Sequence, residues 1–245
     1  ERMQFGKPII EFPAISELLS NMKAKLHGSR AMLYETTRFV EIYKDLTHIS
    51  HDRKLTPEER AEMKAYTRLA DAFTPMLKLM ASEYCNALAY DAIQIFGGSG
   101  YMKDYPIERI YRDARITNIY EGTSQLQVVA AIRHVTTGTY LNQIREYEGQ
   151  TYAAELSHVH NKLIAMREQF EKAVEKVVTA GNNDFIDFHA RRMVEMAAHI
   201  IIGYLLLRQA GEVEDYRNSA EIYVKYGEAQ NAAAAQYIAT SSVDD

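Results

Sequence analysis

Apolar residues along this 245-residue chain return at spacings of three and four, and almost nowhere alternate with polar ones. That pattern predicts helices throughout and no sheet. Ile15, Leu19, Met22, Leu26 and Leu33 share one face of a first long helix, from about Ala14 to about Ser50. Thr56-Pro57-Glu58-Glu59 opens a second. The threonine caps, the proline takes the first helical position, and the glutamate three residues on bonds back to the cap. Thr74-Pro75 interrupts the following apolar pattern. A proline there removes a backbone donor, so the helix is expected to break or kink and restart to about Phe96. Gly97-Gly98-Ser99-Gly100 ends it, and residues 101–122 are expected to be irregular or only briefly helical. Ser124 with Gln127 reads as another capping box, opening a helix through Thr137 before a joint at Gly138.

Beyond Gly138 the periodicity tightens. Tyr152, Leu156, Val159, Leu163, Met166, Phe170 and Val177, with Ala173 between the last two, form a coiled-coil-like seam. Gly181-Asn182-Asn183 turns the chain, and Ile186, Ala190, Met193, Ala197, Ile200, Tyr204 and Leu207 repeat the step. Residues 211–215 make a second turn before an alanine-rich helix carrying Ile222, Tyr226, Ala229 and Ala233. Short turns imply antiparallel neighbours. The expected architecture is therefore all-α: a four-helix bundle, then an antiparallel three-helix extension.

Charge places the boundary. Residues 1–139 hold 18 basic and 17 acidic side chains, a net of +1, whereas residues 140–245 hold 10 and 16, a net of −6. Two units are expected, 1–139 and 140–245. The overall charge of −5 supplies no electrostatic reason for nucleic acid as a partner. Cys85 is the single cysteine, which leaves no internal disulfide and fits a reducing compartment such as bacterial cytoplasm. No apolar run approaches the roughly 20 residues of a membrane-spanning helix. The opening Glu1-Arg2-Met3-Gln4 lacks an initiator methionine, and the chain reads as a fragment, which leaves a mitochondrial matrix address open.

The chemistry concentrates at Tyr120-Glu121-Gly122-Thr123-Ser124-Gln125. A carboxylate just before a helix ordinarily serves the positive end of the helix dipole. Glu121, however, precedes the cap, and its neighbours Tyr120 and Gly122 suit a closely approached site. The single histidine paired with Glu195, His199, lacks the second histidine of a metal motif, so no metal is expected. Cys85, in an apolar helix, reads as an inert buried thiol, and His158 and His160 as solvated side chains. Arg109, Arg112, Asp113 and Arg115 are expected to pair among themselves and with Glu108.

Four blocks then line up in order. They are Arg2-Met3-Gln4-Phe5-Gly6-Lys7-Pro8-Ile9, Gln94-Ile95-Phe96-Gly97-Gly98-Ser99-Gly100-Tyr101, residues 106–116 (Pro106-Ile107-Glu108-Arg109 through Ile116), and Ile119 to Gln125. Together they resemble the signature of the acyl-CoA dehydrogenase family, over residues 1 to about 138. The resemblance implies a C-terminal helical bundle of that family, with FAD lying against it and reaching a neighbouring subunit of a homodimer or homotetramer. It implies Glu121 as the base that takes the pro-R proton at Cα of an acyl-CoA while a hydride leaves Cβ for the flavin. The Glu121 N–H would share the thioester oxygen with a ribityl hydroxyl, and Tyr120 and Gly122 would flank the substrate. Thr123 and Gln125 match positions contacting FAD. Arg2, Gln4 and Phe5, with Gln94 and Gly98, match its pyrophosphate and adenine end across the subunit contact. Electrons would pass to an electron-transferring flavoprotein.

The sequence departs from the short family members in the charged stretch from His51 to Arg68 and in the whole acidic tail. Larger members carry a helical extension that in some docks on membranes, but a tail of net −6 gives anionic lipid little to hold. An acyl-CoA oxidase uses the same base with dioxygen as acceptor. A non-catalytic helical oligomerisation module is the reading from outside enzymes, and a DNA-binding relative would want a basic surface. The resemblance implies that chain-length preference depends on the first long helix together with other domains of the family, so the sequence leaves it open.

Overall fold

The computed structural model describes residues 2–244, and they are almost wholly helical. A two-stranded antiparallel hairpin, β1 (Met3–Gln4) and β2 (Lys7–Pro8), precedes α1 (Pro13–Asp52) and α2 (Pro57–Phe96). Short α3 (Gly98–Tyr101) and α4 (Pro106–Ala114) follow, then a 3₁₀ turn over Arg115–Asn118. Helices α5 (Ser124–Thr136), α6 (Thr139–Glu148), α7 (Ser157–Thr179), α8 (Asn183–Glu212) and α9 (Asp215–Thr240) complete the chain.

Helices α1 and α2 have 40 residues each, about 60 Å, and pack along one another. The expected capping box joins them: Thr56 Oγ1 accepts from Glu59 N at 3.2 Å, and Thr56 N donates to Glu59 Oε2 at 2.8 Å. The expected break at Pro75 does not occur, and α2 continues to Phe96. Proline displaces the carbonyls one turn earlier. The carbonyl that loses its donor is that of Asp71, and its neighbour Ala72 O accepts the buried Tyr140 hydroxyl at 2.6 Å, a tertiary contact beside the proline.

Helix α8 is the axis of the molecule, packed by α1, α5, α6, α7 and α9. Its residues Ile200, Ile201, Ile202, Leu205, Leu206 and Leu207 are all buried, each stabilising the fold by roughly 1.5–3 kcal/mol. By length and mean hydropathy it passes for a membrane span, closer than the sequence pattern suggested, yet 83% of that window is buried by the other helices. Two glycines set its distance from its neighbours. A Cβ on Gly28 of α1 would stand 2.6 Å from Ile202, and one on Gly203 would stand 2.5 Å from Leu163 of α7.

The seam expected on α7 is the buried face, from Leu156 through Val177, with Tyr152 half-buried. Four expectations fail. The first is the absence of sheet: Phe5 and Gly6 take φ of 50° and 80° and make the tight turn of the hairpin. The second is the face of α1. Leu26 and Leu33 are exposed, and the buried side is Ala24, His27, Gly28, Ala31, Met32, Glu35, Thr36 and Phe39. Small and polar residues face the core there because α8 and α9 approach α1 closely and supply partners. The third is the register of α9, where Ser219, Ala220, Tyr223, Val224, Gly227 and Asn231 are buried while Ala229 and Ala233 are exposed. Ser219 bonds His27 and Asn231 bonds His199, so polar groups earn burial that an apolar count misses. Fourth, Cys85 is exposed, on the face of α2 turned away from buried Tyr84.

Candidate functional site

The segment from Arg115 to Gln125 is a tight connection between the 3₁₀ turn and α5. Glu121 is one of two non-glycine residues at positive φ among the described residues, at 51°, followed by Gly122 at 93°. A left-handed glutamate costs about 1–2 kcal/mol, so its surroundings must hold it there. They do so from α2 and α5. Lys78 Nζ donates to Thr117 O at 2.6 Å and to Gly122 O at 3.1 Å, and lies 5.3 Å from the centre of the Tyr120 ring. Asn86 Nδ2 donates to Ala114 O at 2.9 Å and to Thr117 Oγ1 at 3.2 Å. Glu83 Oε1 accepts from the buried Ser124 hydroxyl and from Asn118 Nδ2 at 3.5 Å. Gln127 Nε2 reaches back to the carbonyls of Glu121 and Gly122, both at 3.3 Å.

The clamp leaves the residue it holds free to act. The Glu121 side chain is exposed, and among the described residues nothing bonds its carboxylate or accepts its N–H. Helix α5 begins one residue earlier than expected. Thr123 is its cap, with Oγ1 accepting from Leu126 N at 3.3 Å, and Ser124 is the first helical residue instead of the cap. Ser124 and Gln125 therefore present first-turn N–H groups beside Glu121, at the positive end of the α5 dipole. Tyr120, Thr123 and Gln125 are exposed on this side, and Gly122 is half-buried against Gln127.

The remaining expected site residues gather elsewhere. Arg2 Nη1 donates to Ile95 O at 3.0 Å, and its guanidinium covers Gly97, where a Cβ would come within 2.6 Å. Gln94 and Gly98 lie exposed beside it, and the hairpin carries Gln4 and Phe5. Phe5 is 93% exposed, touching Phe12 edge-on at 6.2 Å. A cleft of about 840 Å³ opens here between Arg2, Ile9, Ile10, Leu19, Phe96 and Tyr105. Leu19 belongs to the apolar stripe that shares one face of α1. From Lys78 to Gln94 along α2 is about 24 Å, so one chain presents two separate groups: the glutamate loop and the arginine hairpin.

Periodicity missed Lys78, Glu83 and Asn86, while Gln127, expected to close a capping box with Ser124, donates instead to the Glu121 and Gly122 carbonyls. A signal existed in Lys78, which interrupts the apolar run Leu77-Lys78-Leu79-Met80. The expected mutual pairing of the α4 charges largely fails: Arg112 and Asp113 approach to 3.9 Å, and Arg115 turns to Asn118. His160, expected to be solvated, packs between Tyr152 and Tyr204 with a buried Nε2. Among the described residues no cluster of His, Cys, Asp or Glu could hold a metal ion.

Residues 1–136 match the family described as "Acyl-CoA dehydrogenase, C-terminal domain", and residues 136–245 match "Acyl-CoA dehydrogenase C terminal". The acyl-CoA dehydrogenase of Bacillus subtilis is 36% identical over 139 residues, 57% of this chain and 30% of that protein. The caffeyl-CoA reductase–Etf complex subunit CarC of Acetobacterium woodii is 36% identical over 127 residues, 52% of this chain and 27% of its own length. The acryloyl-CoA reductase (NADH) of Anaerotignum propionicum is 39% identical over 141 residues, 55% and 28% of the two chains. This chain thus spans less than a third of the length of these relatives. In three dimensions, the Bacillus anthracis acyl-CoA dehydrogenase complexed with FAD aligns with 99% of this chain and 44% of its own. The TM-score is 0.68 at 24% identity. Caenorhabditis elegans ACDH-11 in complex with C11-CoA aligns over 92% and 37%, at TM-score 0.70 and 23% identity. The first of these likenesses takes in nearly the whole chain, the last three helices included.

Proposed function

This chain belongs to the acyl-CoA dehydrogenase family, and we propose that it is the helical part of a flavoenzyme that interconverts an acyl-CoA and its trans-2-enoyl-CoA, with Glu121 as the base. One observation carries the reading: a carboxylate and its own N–H, both unpaired, are held at positive φ by a clamp that contacts everything around them. An α-proton of a thioester is a weak acid, so its removal needs a placed base and a donor for the developing enolate oxygen. Glu121 supplies both, and the first turn of α5 adds a positive potential. Closure by the other domains of the family would exclude water from around the carboxylate.

The residues fit the cofactor the family implies. Thr123 and Gln125, exposed beside Glu121, would hold FAD at its reactive end. Arg2, with donors to spare beyond its bond to Ile95, suits a pyrophosphate, and the exposed Phe5 ring suits an adenine, with Gln4, Gln94 and Gly98 around them. The family resemblance gives these two groups to different FAD molecules, and their separation of about 24 Å along α2 is in keeping with a homodimer or homotetramer. Bound FAD would accept the hydride from Cβ. The A. woodii relative's place in an Etf complex supports an electron-transferring flavoprotein as partner. Two of the relatives are named reductases, and the same base can return the proton in that direction.

The test uses the complete flavin-loaded polypeptide, mixed anaerobically with acyl-CoAs of graded length. Loss of flavin absorbance with one length class, abolished in Glu121→Gln, is the expected result. A flavin that stays oxidised with every thioester, or a variant that bleaches like wild type, overturns the mechanism. Rapid reoxidation by dioxygen would make the enzyme an oxidase.

A further inference from the structure

The clamp around Glu121 does not end on α2. Glu83 faces two ways: Oε1 receives Ser124 and Asn118 on the two sides of Glu121, while Oε2 lies 3.5 Å from Arg191 Nη2 on α8. Arg191 in turn donates through Nε to Glu195 Oε1, one helical turn on, at 2.8 Å. The guanidinium is thus fixed from its own helix and directs its free end at the carboxylate that holds the loop. Apolar packing follows the same route, because α5 lies between α2 and α8, with Val128, Ala131, Ile132 and Val135 buried. A surface ion pair alone has no consequence for a loop. This one ends on a bidentate acceptor whose other oxygen binds the first residue of α5, three residues from the base.

We propose that the extension positions the catalytic loop: Arg191 orients Glu83, which fixes Asn118 and Ser124 and so holds Glu121 in its left-handed conformation. The catalytic role of Glu121 is the reading given above; the coupling of α8 to residues 118–124 is independent of it. Arg191 is a positioning residue and touches no substrate. The acidic extension is thereby part of the site's scaffold, in addition to any role in assembly.

The experiment compares wild-type holoenzyme with Arg191→Gln, Arg191→Lys and a control, Arg217→Gln. The control removes the Arg217–Glu155 ion pair, equally exposed at 44% on the arginine and remote from the loop. Hydrogen exchange of peptides covering residues 115–126 is measured beside the rate of flavin reduction by saturating acyl-CoA. In Arg191→Gln the loop exchanges about three- to fivefold faster, and flavin reduction slows by a similar factor with KM little changed. Arg191→Lys restores most of both, and the control moves neither. Loop exchange unchanged in Arg191→Gln, or raised equally in the control, overturns the coupling. Raised exchange in a protein whose wild type reduces no flavin leaves the coupling standing and removes the assigned function instead.

Discussion

Lys78 Nζ and the Gly122 carbonyl oxygen are 3.1 Å apart, so an ammonium in the middle of α2 grips the residue that follows the proposed base. The same nitrogen binds Thr117 O at 2.6 Å, and the two bonds span the turn that presents Glu121. Lys78→Met keeps the stem that packs in the helix and removes the grip. Flavin reduction at saturating acyl-CoA is expected to slow about 10- to 100-fold, with a smaller change in KM, because a misplaced base costs rate more than binding. Stopped-flow absorbance measures it, and a rate within a factor of two of wild type would contradict the clamp.

Glu35 ties the bundle to the last helices. Only 3% exposed, it accepts from Arg38 on its own helix (3.0 and 3.2 Å), from Tyr147 on α6 (2.7 Å) and from Arg208 on α8 (3.2 Å). Burial pushes its carboxyl up, but the bonds from Arg38 and Tyr147 and the charge of Arg208 outweigh it and leave it below the usual range. A carboxyl depressed in the fold stabilises above the unfolded pKa of about 4.3, and that contribution is lost as pH falls through the folded value. Glu35→Gln should therefore flatten the loss of stability below about pH 4.3 in urea titrations. Glu35→Ala at neutral pH should cost about 2–3 kcal/mol, reduced from the fully buried case because both arginines are partly solvated.

His199 titrates in the opposite setting. Its Nδ1 donates to Asn231 Oδ1 at 2.9 Å, and the Asn231 amide donates to Met196 O at 3.1 Å. Burial pushes the imidazole down to about 4, although the bond to Asn231 favours the charged form; Lys25 lowers it further. Between about 4 and the unfolded value of about 6.5 the unfolded chain binds the extra proton, so stability falls as pH drops through that window. The loss should approach about 3 kcal/mol and level off below pH 4. His199→Gln should remove that slope whatever it does to stability at neutral pH, and urea midpoints from pH 4 to 8 would reveal it.

Phe5 is held at φ 50° with its ring in solvent, an arrangement that serves the fold poorly. Phe5→Asn suits the turn better, so thermal stability of the apoprotein should stay level or rise slightly. If the ring faces the adenine of a neighbouring subunit's FAD, flavin retention after gel filtration should fall about 5- to 30-fold in Kd, the worth of a stacked aromatic. Unchanged retention would detach the hairpin from the cofactor.

Most helix boundaries were legible in the residues. Thr56-Pro57 with Glu59, Gly97 and Gly138 mark where the backbone must cap or stop, and each does so in the structure. Glu121 stood out because four motif blocks occur in order. What spacing could not tell was which face of a helix looks inward. Ile15, Leu19, Met22, Leu26 and Leu33 do repeat at helical intervals, yet Leu26 and Leu33 are exposed, and α1 buries a glycine, a histidine and a glutamate on its other side.

The sequence by itself determined the all-α class, the Thr56 cap and the α7 seam, because each depends on neighbours within a turn or two along the helix. Only the tertiary structure decided the continuity of α2 through Pro75, the register of α9 and the clamp of Lys78, Glu83 and Arg191 around the loop. Those depend on partners from distant segments, such as Tyr140 for the Ala72 carbonyl and Arg191 for Glu83. Local periodicity carries no record of which distant donor will meet which acceptor, and packing supplies it.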